Sequence, residues 1–203
     1  MGSHCWWPTP SCEGPQAHTA DLRSHMRLRL RSMEVTAEEA FDLERRIVDR
    51  SNEPAPAELL WSIVPLTKAL GAPDHVLADR EAKDGSTEWR VLALAPSRFL
   101  YASVTADNPD WDSQSGRVGC RVTGWVRRRL DVERVAVTDV ATENVTVVPG
   151  LVRPDRVLVV ATWELLIRDE KAPITLPLFG GRPNMNQRVR TEAIAQALLD
   201  DLS

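Results

Sequence analysis

One stretch in the middle of the chain decides the fold class: residues 89–105 have the sequence WRVLALAPSRFLYASVT. Two runs rich in apolar residues, Trp89–Ala95 and Phe99–Thr105, are separated by Pro96 and Ser97, and side chains of different polarity alternate along the second run. A period of two residues is typical of a β-strand, whose successive side chains point to opposite faces. A proline followed by a serine favours a turn between such runs. The stretch therefore predicts an antiparallel hairpin.

The same pattern continues on the C-terminal side of the hairpin and predicts further strands. They are expected at Arg117–Val126 with an extension through Arg128, Arg134–Val140, Glu143–Val148, Val157–Trp163 and Ile174–Leu178. The run Val157–Trp163 is apolar almost throughout, which predicts a strand that is buried on both faces or central in its sheet, with Trp163 as an anchor of the core. No helical period interrupts these strands, so consecutive antiparallel strands are favoured over a doubly wound parallel sheet.

Helical patterns are confined to the two ends of the chain. Thr36 is a good N-cap and Glu39 stands at capping-box spacing, so a helix is expected to begin there and to end near Arg50. A second helix is expected over Ala57–Leu70, and the apolar ladder of Gln187–Leu202 predicts a C-terminal amphipathic helix. The predicted fold class is α+β: a seven-stranded antiparallel sheet or barrel with two N-terminal helices and one C-terminal helix.

Two short segments resemble known proteins. The hairpin Trp89–Tyr101 resembles the strand, turn, arginine and apolar strand of bacterial pleckstrin-homology-like (PH-like) domains. The stretch Val157–Trp163 is similar to the core strand of an uncharacterised actinobacterial family, and the order of elements agrees with that family over residues 35–202. The resemblance implies a PH-like fold, and it implies no catalytic residues, because that family has no established activity to carry over.

Composition limits the function classes. The chain has 203 residues, of which 43% are hydrophobic and 27% charged, enough for one domain with a real core. A net charge of −4 argues against a nucleic-acid-binding protein. The chain has 22 arginines and 3 lysines, a bias that is typical of a bacterial genome of high GC content. The chain contains no run of about 18 apolar residues, which is the length that a transmembrane helix requires. We therefore expect a soluble, cytoplasmic protein.

The first 32 residues differ from the rest of the chain. They hold three of the four histidines and two of the three cysteines, are rich in proline, and show no hydrophobic period before Leu28. We expect a disordered leader, or a segment left by an expression vector, followed by a single domain at 33–203. A zinc site in this leader is the alternative, but Cys5 and Cys12 are farther apart than the cysteines of a usual zinc knuckle. No cofactor is predicted.

The candidate ligand site is an arginine face on the third predicted strand. Five residues would share one side of an unbroken strand, and we call this set the arginine face: Arg117, Arg121, Trp125, Arg127 and Arg129. Guanidinium groups bind carboxylates and phosphates through paired hydrogen bonds, so such a face would accept an anionic ligand. The alternative is a solvated face balanced by nearby carboxylates. A β-bulge at a glycine of this strand would break the pattern.

An acidic loop is the candidate metal site. Asp107, Asp110 and Asp112 offer oxygen ligands at close spacing, but the glycine and glutamate of a calcium-binding loop are missing. A solvated turn stabilised by aspartate and asparagine side chains is the alternative. An enzyme acting there would need His75 or an arginine pocket to converge on the carboxylates.

Two functions from different classes follow. The first is a non-catalytic intracellular binding module for a protein partner or an anionic small-molecule ligand, with the arginine face as its site. Such a module could also form homo-oligomers through a sheet edge. The second is a small metal-dependent phosphoesterase or nucleotide-acting enzyme that uses the loop at 107–112. The absence of catalytic motifs favours the binding module.

Overall fold

The hairpin at the middle of the sequence is also the middle of a four-stranded antiparallel sheet. A computed structural model describes residues 36–51, 55–112, 114–115, 118–144, 157–179 and 185–203. The strands of the first sheet are β1 (His75–Lys83), β2 (Ser86–Leu94), β3 (Arg98–Ala106) and β4 (Cys120–Arg128), and they lie side by side in chain order. The predicted hairpin is confirmed as β2 and β3, which pair from Thr87 with Ala106 to Leu94 with Phe99.

A second antiparallel sheet has three strands, in the order β5 (Val132–Asn144), β6 (Val157–Ile167) and β7 (Ile174–Leu176). The α+β class is therefore confirmed, but the strands form two sheets of four and three, with no closed barrel among the described residues. The expected break between two strands at 134–140 and 143–148 is wrong, because β5 runs through Asn144; residues 145–148 lie outside the described ranges.

Three helices flank the strands. They are α1 (Ala37–Ser51), α2 (Ala57–Leu70) and α3 (Met185–Leu202), and a short 3-10 helix, Arg129–Asp131, links β4 to β5. All described residues belong to the unit Met33–Ser203, and the expected leader at 1–32 lies outside the described part. None of the helices in that part combines the length and the apolarity needed to cross a membrane.

Strand β1 was not expected from the sequence. Its C-terminal half, from Arg80 to Lys83, is exposed and highly charged, so it lacks the apolar run that marks a strand. The strand forms because it can pair with β2 along its whole length, from His75 with Leu94 to Lys83 with Ser86. Asp84 and Gly85 close this hairpin with positive φ angles of 47° and 84°, the conformation that two-residue hairpin turns require.

The first sheet is covered on both faces. One face packs against α1 and α2 in a cluster that includes Leu59, Ile63, Trp89, Val91 and Trp111. The other face contributes apolar residues to a cluster with β5–β7 and α3, which includes Leu92, Phe99, Leu165, Leu176 and Ile194. The central strands of this sheet are therefore buried between the N-terminal helices and the C-terminal half of the domain.

The expected central position of Val157–Trp163 is confirmed, because β6 is the middle strand of the second sheet. Its alternative, burial on both faces, is wrong for the part that can be described. Residues 160–163 are half-buried, and the buried residues of β6 are Leu165 and Ile167. Trp163 packs only partly against the second cluster. The tryptophans that fill the core are Trp89 and Trp111, at 1% and 0% exposure.

Candidate functional site

Strand β4 carries the centre of the arginine face. It pairs with β3 residue by residue, from Arg98 with Arg128 to Ala106 with Cys120, without a register shift. Because the strand is unbroken, Arg121, Trp125 and Arg127 lie on one face, as the alternation predicts. The glycine in this strand therefore does not create a bulge.

Gly124 instead allows a close approach between layers. A Cβ atom at this position would lie 2.9 Å from the carbonyl oxygen of Tyr101 and 2.9 Å from Cδ1 of Leu66 on α2. Cys120, on the same side of β4, has its Sγ atom 3.2 Å from the Ser62 hydroxyl of α2. Helix α2 thus packs directly on the face of β4 opposite the arginines.

Three aromatic rings support the arginine side of β4. The ring of Trp125 packs edge to face on Phe99, with 5.1 Å between ring centres and 88° between planes. It also lies 5.7 Å from Tyr101 at 38°. Burial raises the pKa of Tyr101 above its ordinary value of 10.0. Edge-to-face and offset ring pairs are favourable, and they hold Trp125 partly buried against the second cluster.

Arg127 is already paired within the protein. Its guanidinium carbon lies 5.4 Å from the centre of the Trp125 ring, and Nη2 donates to Oε1 of Glu170 at 2.6 Å. A cation stacked on an aromatic ring and bonded to a carboxylate is largely satisfied. Arg127 therefore completes the platform around Trp125 without presenting a free charge.

Arg129 does not lie with Arg121, Trp125 and Arg127 on β4. Arg129 was expected on the same strand, but β4 ends at Arg128 and Arg129 begins the 3-10 helix. Its guanidinium donates to Asp201 at 2.5 Å and to the carbonyl oxygen of Ala197 at 2.5 Å. Arg129 thus ties α3 to the end of β4. Arg117 lies outside the described residues.

Arg121 is the exposed member of the face. Four consecutive residues of β4, from Arg121 to Gly124, are exposed although they belong to a sheet strand. Within the described ranges, the side chain of Arg121 makes no hydrogen bond or ion pair. This arrangement leaves one unpaired guanidinium on the face of β4 that carries Trp125, within the exposed stretch Arg121–Gly124.

A polar cluster that the sequence did not predict lies on the face of the first sheet that carries Trp125. Arg90 on β2 donates to both carboxylate oxygens of Glu88, at 2.8 and 3.2 Å, and to the carbonyl oxygen of Leu178 at 2.9 Å. Its guanidinium also lies 4.2 Å from the centre of the Phe179 ring. The Ser103 hydroxyl donates to Glu88 at 2.7 Å. The spacing of two residues between Glu88 and Arg90 is the signal that could have revealed a shared face.

Charge in this cluster is balanced internally. Burial alone would raise the pKa of Glu88, but hydrogen bonds from Arg90 and Ser103 outweigh it and hold this pKa below its ordinary value of 4.5. The ion pair joins β2 to the segment after β7, since Leu178 and Phe179 both contact Arg90. Its role is to connect the two sheets.

The acidic loop has a structural role, because its turns place a tryptophan in the core. The backbone N–H of Asp110 donates to Oδ1 of Asn108 at 3.0 Å. The backbone N–H of Gln114, at 2.9 Å, is the main reason that the pKa of Asp112 lies below its ordinary value of 3.8. Between these turns Trp111 is fully buried in the helix-side cluster. The loop thus uses its polar side chains to turn the chain around a buried tryptophan.

The convergence that an enzyme would need is not found around this loop. His75 pairs with Leu94 at one end of β2, whereas the loop follows Ala106, which pairs with Thr87 at the other end. Seven residues along a strand separate these ends, or about 24 Å. His75 is the first residue of β1. No group of three or more His, Cys, Asp or Glu side chains in the described ranges, Asp107, Asp110 and Asp112 included, could hold a metal ion.

Comparisons with known proteins do not assign the chain to a family. The sequence matches no protein-family model, no curated protein and no solved structure. Its function must therefore be inferred from the geometry of its own residues.

Proposed function

We propose that this protein is a non-catalytic, cytoplasmic binding module of PH-like fold that recognises an acidic segment of a partner protein through β4. The observation that carries this proposal is the state of Arg121, which is exposed and unpaired within the described residues and begins the exposed stretch Arg121–Gly124 of an edge strand. Trp125, four residues farther along the same face of β4, offers an aromatic surface of the kind enriched in protein interfaces.

The order of elements supports the PH-like assignment. Four antiparallel strands, three further antiparallel strands and an amphipathic C-terminal helix follow one another along the chain. The helices α1 and α2 are an addition to that plan, and they cover the face of the first sheet that lies opposite the arginines. They leave the arginine side of β4 uncovered.

The chemistry of β4 favours a carboxylate-bearing ligand. The strand contains Arg121, Arg127 and Arg128 and no acidic residue. A compact polyphosphate would need several free guanidinium groups converging on one point, but Arg127 is bonded to Glu170 and Arg129 to Asp201. A single free arginine on a nine-residue edge strand is better suited to a carboxylate on an extended chain.

A direct binding measurement tests this proposal. A fluorescein-labelled octaglutamate peptide is titrated with the full chain, and anisotropy is recorded at low salt and at about 1 M salt, where the Debye length is only about 3 Å. We expect binding at low salt that is lost at high salt. Arg121→Ala should weaken it about tenfold, the effect of losing one charged hydrogen bond.

The matched control is Arg134→Ala, since Arg134 is equally exposed but lies on β5 of the other sheet. It should leave the affinity within about twofold, as surface changes away from an interface do. Inositol hexakisphosphate is titrated as a competing probe. Tighter binding of this polyphosphate than of the peptide, or an equal loss in both variants, would overturn the proposal, as would the absence of any binding at low salt.

A further inference from the structure

The seven described strands leave four outer sheet edges, and three of these edges are protected. Strand β1 contacts α1 and α3, β7 has only three residues, and β5 carries register shifts at Val132/Arg134 and Val137/Asp139. Helix cover, shortness and bulges are the devices by which proteins prevent edge strands from pairing with other chains. Within the described part of the chain, the edge of β4 has no helix cover, no bulge and no shortening, and its arginines are the one device that guards it against pairing with a like strand.

The β4 edge offers unused backbone groups. The strand has nine residues and no proline, and its pairing with β3 is regular throughout. Outside that ladder, residues Cys120–Arg127 form no backbone hydrogen bond with any other described residue. Because an antiparallel strand bonds its neighbour through alternate residues, the other residues direct their N–H and C=O groups outward. Regular outward groups of this kind are a template for an added strand.

We infer that an extended acidic segment binds by adding a fifth strand to the first sheet, along the edge of β4. This inference rests on the proposed function, because it takes the same ligand and specifies how it binds. Backbone hydrogen bonds to β4 would supply affinity, and side chains on alternate positions would supply specificity.

Charge argues against a second copy of this chain as the added strand. Antiparallel self-pairing of β4 centred on Gly124 would place Arg121 of one copy opposite Arg127 of the other. Like charges that face each other across strands are destabilising. A segment with an acidic residue opposite Arg121 avoids this repulsion and pairs with the guanidinium that has no partner in the described structure.

The other side of the β4 edge specifies an apolar neighbour. Val122 points toward α2 and is 37% exposed, although it belongs to the apolar face of the sheet. Trp61 on α2, one residue before the Ser62 that contacts β4, is 52% exposed. An added strand that alternates acidic and apolar residues would cover Val122 with its apolar side chains while its carboxylates face Arg121.

Peptide selection tests the inference without a known partner. A phage-displayed library of random ten-residue peptides is panned on the immobilised full chain, and enriched peptides are synthesised. We expect alternation of acidic and apolar residues. Two N-methylated versions of the best peptide are then compared, one methylated at odd positions and one at even positions. Strand addition predicts that only one version loses affinity, by about a hundredfold, because only one edge of the peptide bonds β4.

The outcomes separate the inference from the proposed function. If acidic peptides are enriched and both methylated versions bind like the parent, strand addition is wrong and acidic recognition stands. If no acidic peptide is enriched, both fail. Arg121→Glu should weaken the parent peptide at least tenfold, whereas Arg134→Glu should not change it. Dimerisation of the full chain through β4, detected by sedimentation and lost in Val122→Glu, would also overturn the inference.

Discussion

Strands β2 and β4 belong to the same sheet and have the same length of nine residues, yet their surroundings are opposite. The last four residues of β2 are all buried, whereas four consecutive residues of β4 are all exposed. The difference arises from position, since β2 lies between two strands and two packed layers while β4 has a strand on one side only. The centre of the sheet therefore carries stability, and its open edge is available for binding.

The largest effect is expected at the buried centre. Trp111→Ala should lower the free energy of unfolding by about 3–5 kcal/mol, because it empties a fully enclosed site in the helix-side cluster. Trp163→Ala should cost less than half as much, since Trp163 is half-buried. Urea denaturation followed by circular dichroism measures both. Equal losses would contradict the contrast between these two tryptophans.

A smaller effect is expected where β4 meets α2. Gly124→Ala should destabilise the protein by about 1–3 kcal/mol, because the new methyl group would press on the backbone at Tyr101 and on Leu66. Gly119→Ala is the matched control, since nothing lies within 4 Å of a Cβ there. If both variants unfold at the same urea concentration, α2 does not pack against β4 as described.

The ion pair of Glu88 should make stability depend on acid. The pKa of Glu88 is below 4.5 in the folded protein, so the unfolded chain takes up this proton first as the pH falls. The stabilising contribution is therefore complete above about pH 4.5 and is lost as the pH falls through the lowered pKa. Because the group is partly exposed, the contribution should be less than about 1 kcal/mol.

Thermal unfolding of the wild type and Glu88→Gln between pH 3 and pH 7 measures this contribution. The difference in melting temperature should shrink toward the acid end. Ser103→Ala removes one of the two donors to Glu88. It should raise the pKa of Glu88 part of the way back toward 4.5, so that the contribution of this group is lost at a higher pH. A difference that stays constant with pH would show that Glu88 is not held by these bonds.

The smallest effect on stability is expected at the open edge. Arg121→Ala should change the free energy of unfolding by less than about 0.5 kcal/mol, because the side chain is exposed and bonds to no described residue. The same variant should lose affinity for octaglutamate. A clear loss of stability would mean that Arg121 serves the fold, and the distinction between centre and edge would fail.

Local patterns determined much of the fold. The capping box at Thr36 and Glu39 is present as expected, with hydrogen bonds of 2.9 and 3.2 Å. The hairpin of β2 and β3 and the three helices also lie close to where the sequence places them. These features depend on residues that are near each other in the chain, so the local sequence carries the information.

Only the tertiary structure decided which residues are buried and which charges are free. Trp111 stands in a polar loop but fills the core, whereas Trp163 stands in an apolar run but reaches only its margin. Arg127 and Arg129 looked equivalent to Arg121, but their carboxylate partners are 43 and 72 residues away in the chain. Burial and ion pairing depend on contacts between distant segments, and a single sequence read locally does not contain those contacts.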